Sequence, residues 1–233
     1  MLLEITNLKV YYGDSCVCDG ITFNINYNDK VCFLGRNGVG KTSMIKSIMG
    51  LAATRKGTIR WQEENITHLK PYEIARLGIG YVPQGRLIFP NLSVFENLKL
   101  GLSASPFKSP KIPPSVFDHF PRLKERINQS GGTLSGGEQQ MLAIARALCS
   151  YPKLLLMDEP SEGLSVGFVQ ELMRIIKNLC TEWEMSILLT EQNLDMALNT
   201  AVRGYVMEKG CIVAQGESEE LKGDEIVRSH LMV

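Results

Sequence analysis

Apolar and polar positions alternate at the start of the chain. Leu3, Ile5 and Leu8 to Val10 lead to Gly13-Asp14, and Ile21, Phe23, Ile25 and Tyr27 then recur at every second position. A period of two puts one set of side chains on one face of a strand, so both stretches predict strands of a half-buried antiparallel sheet. Val31 to Leu34 is an unbroken apolar run, the pattern of a strand covered on both faces. A helix is predicted from Lys41 to about Met49. Gly50 would end it, because glycine readily takes the left-handed conformation found just past a helix. Gly57 to Trp61 and Ile79 to Pro83 read as further strands.

Between Gln84 and Leu134 the pattern changes. Prolines 90, 106, 110, 113, 114 and 121 divide it into short helical pieces. One of these is Ser93 to Leu100, where Ser93 and Glu96 form a capping box. This predicts a helical subdomain at about 85–134, inserted into a core built from 1–84 and 135–233. After Gly137 the alternation resumes with a helix to Leu148 and a strand from Lys153 to Met157. The next helix carries Phe168, Val169, Leu172, Met173, Ile175, Ile176 and Leu179 on one face. Strand Ser186 to Thr190, helix Leu194 to Thr200 and strands near Tyr205 and Ile212 complete the series. Strands alternating with helices predict an α/β fold with a mostly parallel sheet, beside the antiparallel N-terminal β-subdomain.

Composition narrows the function. Twenty-five basic and twenty-five acidic residues cancel, so the chain lacks the basic field of a general nucleic-acid binder. The longest apolar runs are a few residues, against the roughly 20 that a membrane span needs. Met1-Leu2-Leu3-Glu4 lacks the basic start and apolar stretch of a signal peptide. The chain is therefore expected to stay in the cytoplasm and to meet a membrane only through a partner. Cys16, Cys18, Cys32, Cys149, Cys180 and Cys211 form no C-x-x-C pair and are expected to be reduced thiols rather than metal ligands or disulfides. His68, His119 and His230 are isolated, and each is expected to be solvated or hydrogen-bonded rather than catalytic.

Gly35-Arg36-Asn37-Gly38-Val39-Gly40-Lys41-Thr42 fits the pattern G-x-x-x-x-G-K-[ST] at every fixed position, between a predicted buried strand and a predicted helix. The glycines let the backbone turn so that successive N–H groups face a phosphate, and the positive end of the helix adds to that field. Lys41 reaches the β- and γ-phosphates and the Thr42 hydroxyl can ligate Mg²⁺. Ser43 is either a neighbouring phosphate contact or a first-turn helix residue. The predicted fold class is thus a P-loop NTPase core.

Lys153 to Met157 ends in Asp158-Glu159-Pro160. A strand delivering these carboxylates to the edge that carries the phosphate loop would put Asp158 near the metal. Glu159 could then take a proton from the water that attacks the γ-phosphate.

Leu134-Ser135-Gly136-Gly137-Glu138-Gln139-Gln140 opens a helix with a hydroxyl and bare N–H groups, a second anion-binding surface. This string resembles the signature motif of the ATP-binding cassette family. Gln84, in Tyr81-Val82-Pro83-Gln84, stands at that family's Q-loop position, which implies a metal contact. Pro160-Ser161-Glu162-Gly163-Leu164 stands at its D-loop, although Ser161 and Gly163 can equally well just turn the chain. Tyr12 stands where the family's adenine-stacking aromatic does, or else packs on the core. The resemblance covers the whole chain. It implies ATP and Mg²⁺ as ligands, with Ser135, Gly136 and Gly137 of one subunit capping the nucleotide on the phosphate loop of another. It also implies two transmembrane permease subunits as partners, at the cytoplasmic face of the cell's inner membrane.

Two positions depart from the family pattern. Gln192, in Glu191-Gln192-Asn193, stands where members usually carry a histidine that reaches the γ-phosphate. It either orients water or phosphate without positive charge, or belongs only to the helix start. Ser165 stands in place of the usual D-loop aspartate. Together with Gly85-Arg86 and Ile88-Phe89-Pro90, these wordings resemble the branch of importers for branched-chain amino acids and for urea or short amides, whose external solute-binding proteins deliver the solute. This chain resembles the smaller of that branch's two different ATPase subunits, which implies a heterodimer, with a homodimer open to the isolated chain. Arg36 to Gly40 resembles the urea type and Gly131 to Met141 the amino-acid type; branched-chain amino acids are the expected solute, with urea or short amides the alternative.

Other phosphate-loop proteins fit less well. A chromosome-maintenance ATPase needs a long coiled coil between phosphate loop and signature, and a translation factor carries two cassettes. A kinase or GTPase leaves the signature and Gln84 unexplained. A soluble ATPase uncoupled from transport remains the alternative of a different class.

Overall fold

The computed structural model describes residues 1–224 and Val227; His230 lies outside the described residues. The buried apolar run forms β3 (Lys30–Leu34), flanked by β8 (Ser186–Glu191) and β9 (Arg203–Glu208), both parallel to it. β7 (Leu154–Asp158) pairs with β8, and β6 (Ile79–Val82) with β7, again in parallel. β10 (Cys211–Glu217) closes the other edge antiparallel to β9, giving the order β10-β9-β3-β8-β7-β6.

A second, antiparallel sheet of order β2-β1-β4-β5 is made by β1 (Leu3–Tyr12), β2 (Ser15–Ile25), β4 (Thr54–Trp61) and β5 (Glu64–Asn65). The helices are α1 (Lys41–Ile48), α2 (Pro71–Arg76), α3 (Val94–Gly101), α4 (Pro114–His119), α5 (Pro121–Glu125), α6 (Gly136–Leu148), α7 (Val166–Glu182), α8 (Leu194–Thr200) and α9 (Ser218–Gly223). α3, α4 and α5 fall between β6 and α6.

The central strands feed two cores, one from each face. Val31, Phe33, Leu154, Leu156 and Leu188 join Leu3 and Ile5 of the antiparallel sheet and Met44, Ile45 and Ile48 of α1. Cys32, Leu34, Leu155, Met157, Ile187 and Leu189 point the other way, onto Leu142 and Ile144 of α6 and Leu172 and Ile176 of α7. Alternation along a strand makes this division inevitable once both faces are covered. A fully buried Leu or Ile contributes about 1.5–3 kcal/mol, so burial on both faces holds these central strands firmly.

Three details differ from the sequence expectations. Tyr27 is 56% exposed and lies beyond β2. The pairing stops at Leu3 with Ile25, and a turn follows in which Asn26 N donates to Asp29 Oδ2. β4 starts at Thr54 rather than Gly57. Gly57 sits inside it at φ +92, where any side chain would meet the Asn7 carbonyl, at an irregularity in the β1–β4 register. Helices α2 and α9 are short and were not anticipated. All six cysteines are free thiols, with Cys18, Cys32, Cys149 and Cys180 buried.

Candidate functional site

Register brings the two candidate segments together. Leu34, the last residue of β3, pairs with Glu191, and Asp158, the last of β7, pairs with Thr190. The loop after β3, the carboxylates after β7 and the end of β8 therefore emerge side by side at one edge of the sheet. Ligands bind at such an edge in open α/β sheets.

The loop from Gly35 to Gly40 is fixed by steric demands. A methyl group on Gly35 would fall 2.7 Å from the Met207 carbonyl, and one on Gly40, at φ +111, 2.5 Å from the Val17 carbonyl. Val39 helps seat the loop by packing on the antiparallel-sheet core. Cys18 lies beneath it, its thiol donating to Gly40 O at 3.4 Å. Burial, with Cys16 and Cys211 nearby, pushes that thiol up to about 12.

Above the loop is a cavity of about 360 Å³ lined by Val17, Asn37, Gly38, Gly40, Lys41, Thr42, Ser43, Gln84 and Glu159. Lys41, only 3% exposed, donates to Gly35 O at 2.7 Å and Arg36 O at 3.0 Å. Its Nζ also lies 3.1 Å from Glu159 Oε1. Gln84 Nε2 donates to Glu162 Oε2 at 3.1 Å and lies 3.4 Å from Glu159 Oε2. Glu159 itself is held at φ +47, a backbone conformation rare for residues other than glycine and frequent at functional sites.

Thr42 Oγ1 lies 3.1 Å from Asp158 Oδ1, which also accepts from Thr190 Oγ1 at 2.7 Å. Asp158 Oδ2 is buried with no hydrogen-bond partner. A buried carboxylate oxygen without a partner is costly in an otherwise satisfied site. Beside a hydroxyl and facing a phosphate loop, it suits Mg²⁺ or one of that ion's waters. Thr42, Asp158 and Gln84 are the residues that could hold the ion.

The remaining candidates lie elsewhere. Ser135, Gly136 and Gly137 start α6 and do not line the cavity. Ser135 caps that helix: its hydroxyl accepts from Glu138 N at 3.3 Å, and its N–H donates to Glu138 Oε2 at 2.9 Å. Burial works to raise the Glu138 carboxyl, yet the Ser135 hydroxyl donating to Oε2 at 2.8 Å, the Ser135 N–H and Arg126, 3.2 Å away, hold it below the usual carboxylate range. A methyl on Gly137 would come within 2.4 Å of the Phe168 ring. Tyr12, at the end of β1, is half exposed and outside the cavity lining. Gln192 is exposed just before α8 and is also outside it.

Two supporting residues escaped the sequence reading. Thr190 receives Glu159 N at 3.3 Å on its hydroxyl while donating to Asp158, so it fixes both carboxylate-bearing residues. Glu191, 1% exposed, accepts from Ser161 N at 2.9 Å and anchors the turn after Glu159. Burial drives its carboxyl above the usual range, against the pull of Ser161. Their only sequence signal was a polar pair closing an apolar strand.

Residues 18–162 match the ABC transporter family. The chain is 39% identical to the high-affinity branched-chain amino acid transport ATP-binding protein BraG of Pseudomonas aeruginosa, over 97% of each chain. It is 34% identical to the lipopolysaccharide export system ATP-binding protein LptB of Haemophilus influenzae, over 97% of this chain and 95% of that one. Among solved structures, a nucleotide-free ATP-binding cassette from an ABC transporter aligns with a TM-score of 0.87. That match has 28% identity and covers 100% of this chain and 98% of that chain.

Proposed function

Because the chain belongs to the ABC transporter family, as an ATP-binding and ATP-hydrolysing subunit, we propose that it powers uptake of branched-chain amino acids through ATP-driven closure of two such subunits. The observation that carries the ATPase chemistry is the convergence of Lys41, Asp158 and Glu159 at one sheet edge.

In the proposed reaction, the triphosphate enters along the N–H groups of Gly38 to Thr42 and its γ-phosphate draws Lys41 away from Glu159. The released carboxylate takes a proton from water as the water oxygen attacks the γ-phosphorus. The bond from phosphorus to the β–γ bridging oxygen breaks, leaving ADP and phosphate. When bound, Mg²⁺ neutralises charge on the β- and γ-phosphate oxygens; Thr42, Asp158 and Gln84 would hold it. Ser135, Gly136 and Gly137 lie outside the Lys41 cavity, which supports their serving the nucleotide of a second ATP-binding subunit.

The proposed partners are that second subunit, different in sequence in the transporter and replaced by a second copy when the chain is isolated, two transmembrane permeases and, indirectly, an external solute-binding protein. The chain would sit at the cytoplasmic face of the inner membrane. Among the described residues no helix is long and apolar enough to cross a membrane. A groove of about 420 Å³ that includes Tyr81, Phe89, Leu100 and Arg146 runs between the helical insertion and the core. Phe89 and Leu100 are 50% and 42% exposed there, which supports a protein partner at this surface.

For the solute, the higher identity to the branched-chain amino acid protein than to the lipopolysaccharide one favours amino acids. The test is ATPase stimulation of the purified whole complex with its binding protein. Leucine, isoleucine or valine should raise turnover and urea should not. Stimulation by urea or acetamide alone would reassign the solute.

A further inference from the structure

The helical insertion holds a hollow that the ATPase chemistry leaves unused. A cup of about 490 Å³ is walled by Phe95 of α3, Leu102, Pro110, Ile112, Phe117 of α4 and Ile127. None of these lines the Lys41 cavity or the groove around Phe89. Leu102, Ile112, Phe117 and Ile127 rest on the buried core beneath, while Phe95 stays 46% exposed.

Hydrogen bonds set the walls before any ligand arrives. Phe95 N donates to Ile127 O at 2.9 Å and ties two of them together. Tyr151 OH donates to Lys111 O at 2.8 Å and pins the segment 110–112, and the Tyr151 ring packs edge-on against Phe107. A preformed, concave, mostly apolar hollow of this size falls in the range of small-molecule sites, roughly 300–1,000 Å³.

The polar part of the lining has one sign. Among the described residues, every charged or polar side chain around the cup is a lysine: Lys99, Lys111 and Lys124. They come from α3, the segment 110–112 and α5, so the fold gathers them from three separate stretches. The whole chain balances twenty-five basic against twenty-five acidic residues, and this cup departs from that balance. Glu96 shares α3 with Lys99, but its carboxylate is taken by Ser93 N and the Ser93 hydroxyl, and it does not line the cup. A lysine stem can extend the apolar wall while its ammonium stays in water at the rim. The occupant must therefore combine an apolar body with an anionic head. A cationic or zwitterionic amphiphile would meet three like charges, and a flat bilayer does not enter a concave cup.

We propose that the cup binds a free fatty carboxylate, its chain between Phe95, Phe117 and Ile127 and its carboxylate against Lys99, Lys111 and Lys124. The site is independent of nucleotide binding and of the transported solute. Burying two further methylenes should tighten binding roughly tenfold for as long as the cup has room.

Calorimetric titration of the full chain with octanoate, decanoate, decanol and decylammonium, each below its micelle concentration, tests it. One decanoate should bind per chain, roughly tenfold tighter than octanoate. Decanol should bind about tenfold more weakly than decanoate at low salt, with the gap narrowing as salt rises, and decylammonium should not bind. The triple variant Lys99→Gln, Lys111→Gln, Lys124→Gln should bind decanoate no better than decanol, with its melting temperature unchanged. Phe95→Ser, which opens the apolar wall, should weaken decanoate and decanol alike. The proposal is overturned if decanoate does not bind or if uptake never saturates at one molecule per chain. It is equally overturned if decanol matches decanoate, or if the triple variant keeps the wild-type preference. Capture of phosphatidylglycerol vesicles by the wild type and not by the triple variant, without binding of free decanoate, would assign the lysines to a membrane surface instead.

Discussion

Lys41 Nζ sits 3.1 Å from Glu159 Oε1 in a pocket that leaves both almost fully buried. The residue that would bind phosphate and the residue that would accept the proton are therefore partners before any phosphate arrives. Breaking a buried pair by removing one member leaves the other uncompensated. Lys41→Ala should weaken ATP binding and reduce turnover on the order of 10²–10³-fold, the usual cost of losing one electrostatic stabiliser of a transferring group. Fluorescent-nucleotide titration and a phosphate-release assay check both effects. Unchanged affinity would show that Lys41 does not reach the nucleotide.

Thr190 joins the two carboxylates, donating to Asp158 Oδ1 at 2.7 Å and receiving Glu159 N at 3.3 Å. Thr190→Val keeps the shape and removes both contacts. Stability should fall by about 0.5–1.5 kcal/mol per hydrogen bond lost, because Asp158 Oδ1 keeps Thr42 Oγ1 and Glu159 N keeps the Thr190 carbonyl at 3.0 Å. The Mg²⁺ concentration for half-maximal turnover should rise, because Asp158 is no longer oriented. A magnesium titration at saturating ATP reads this. A loss of stability with an unchanged magnesium requirement would limit Thr190 to a structural role.

Glu191 gives a pH prediction. Burial raises its carboxyl above the usual range. A group whose folded pKa is raised contributes stability that is complete below its unfolded pKa and is lost as pH climbs through the folded value. Relative to Glu191→Gln, which can still accept from Ser161 N, the wild type should lose stability from the ordinary carboxylate range upward. Thermal melts at about pH 5 and pH 8 should therefore show the variant's advantage growing with pH. A constant or shrinking advantage would contradict the assigned direction.

Gly137 faces the Phe168 ring so closely that a methyl would sit 2.4 Å from it. Gly137→Ala should cost about 1–3 kcal/mol through overpacking. Phe168→Ala is also destabilising alone. The double variant should lose less than the sum, because the smaller residue makes room for the methyl. Urea unfolding of the four proteins measures the coupling, and strict additivity would mean that the contact carries no strain.

The extent to which the molecule could be read from its sequence follows from how local each feature is. The turn, helix and lysine of Gly35 to Thr42 are written in consecutive residues, so their geometry was legible. So were the apolar runs at the centres of β3, β7 and β8 and the single apolar face of α7. What those strands could not disclose was their order, because runs covered on both faces look alike. The pairing of Asp158 with Thr190 and of Leu34 with Glu191 depends on that order, and so Thr190 and Glu191 went unnoticed. Arg86 against Gly136 is another long-range contact, made from left-handed backbone at Arg86 that no periodicity announces. Tyr27 shows the opposite failure: its alternation with Ile25 was genuine, but the pairing strand had already ended.

Substitution of Glu159 by glutamine most directly tests the central claim, that this chain hydrolyses ATP through Glu159 while two subunits close on the nucleotide. Light scattering and phosphate release are followed together in Mg²⁺ and ATP. The variant should bind ATP like the wild type, release essentially no phosphate, and run as a dimer in ATP but a monomer in ADP. Phosphate release at the wild-type rate, or a monomer at saturating ATP, would contradict the account.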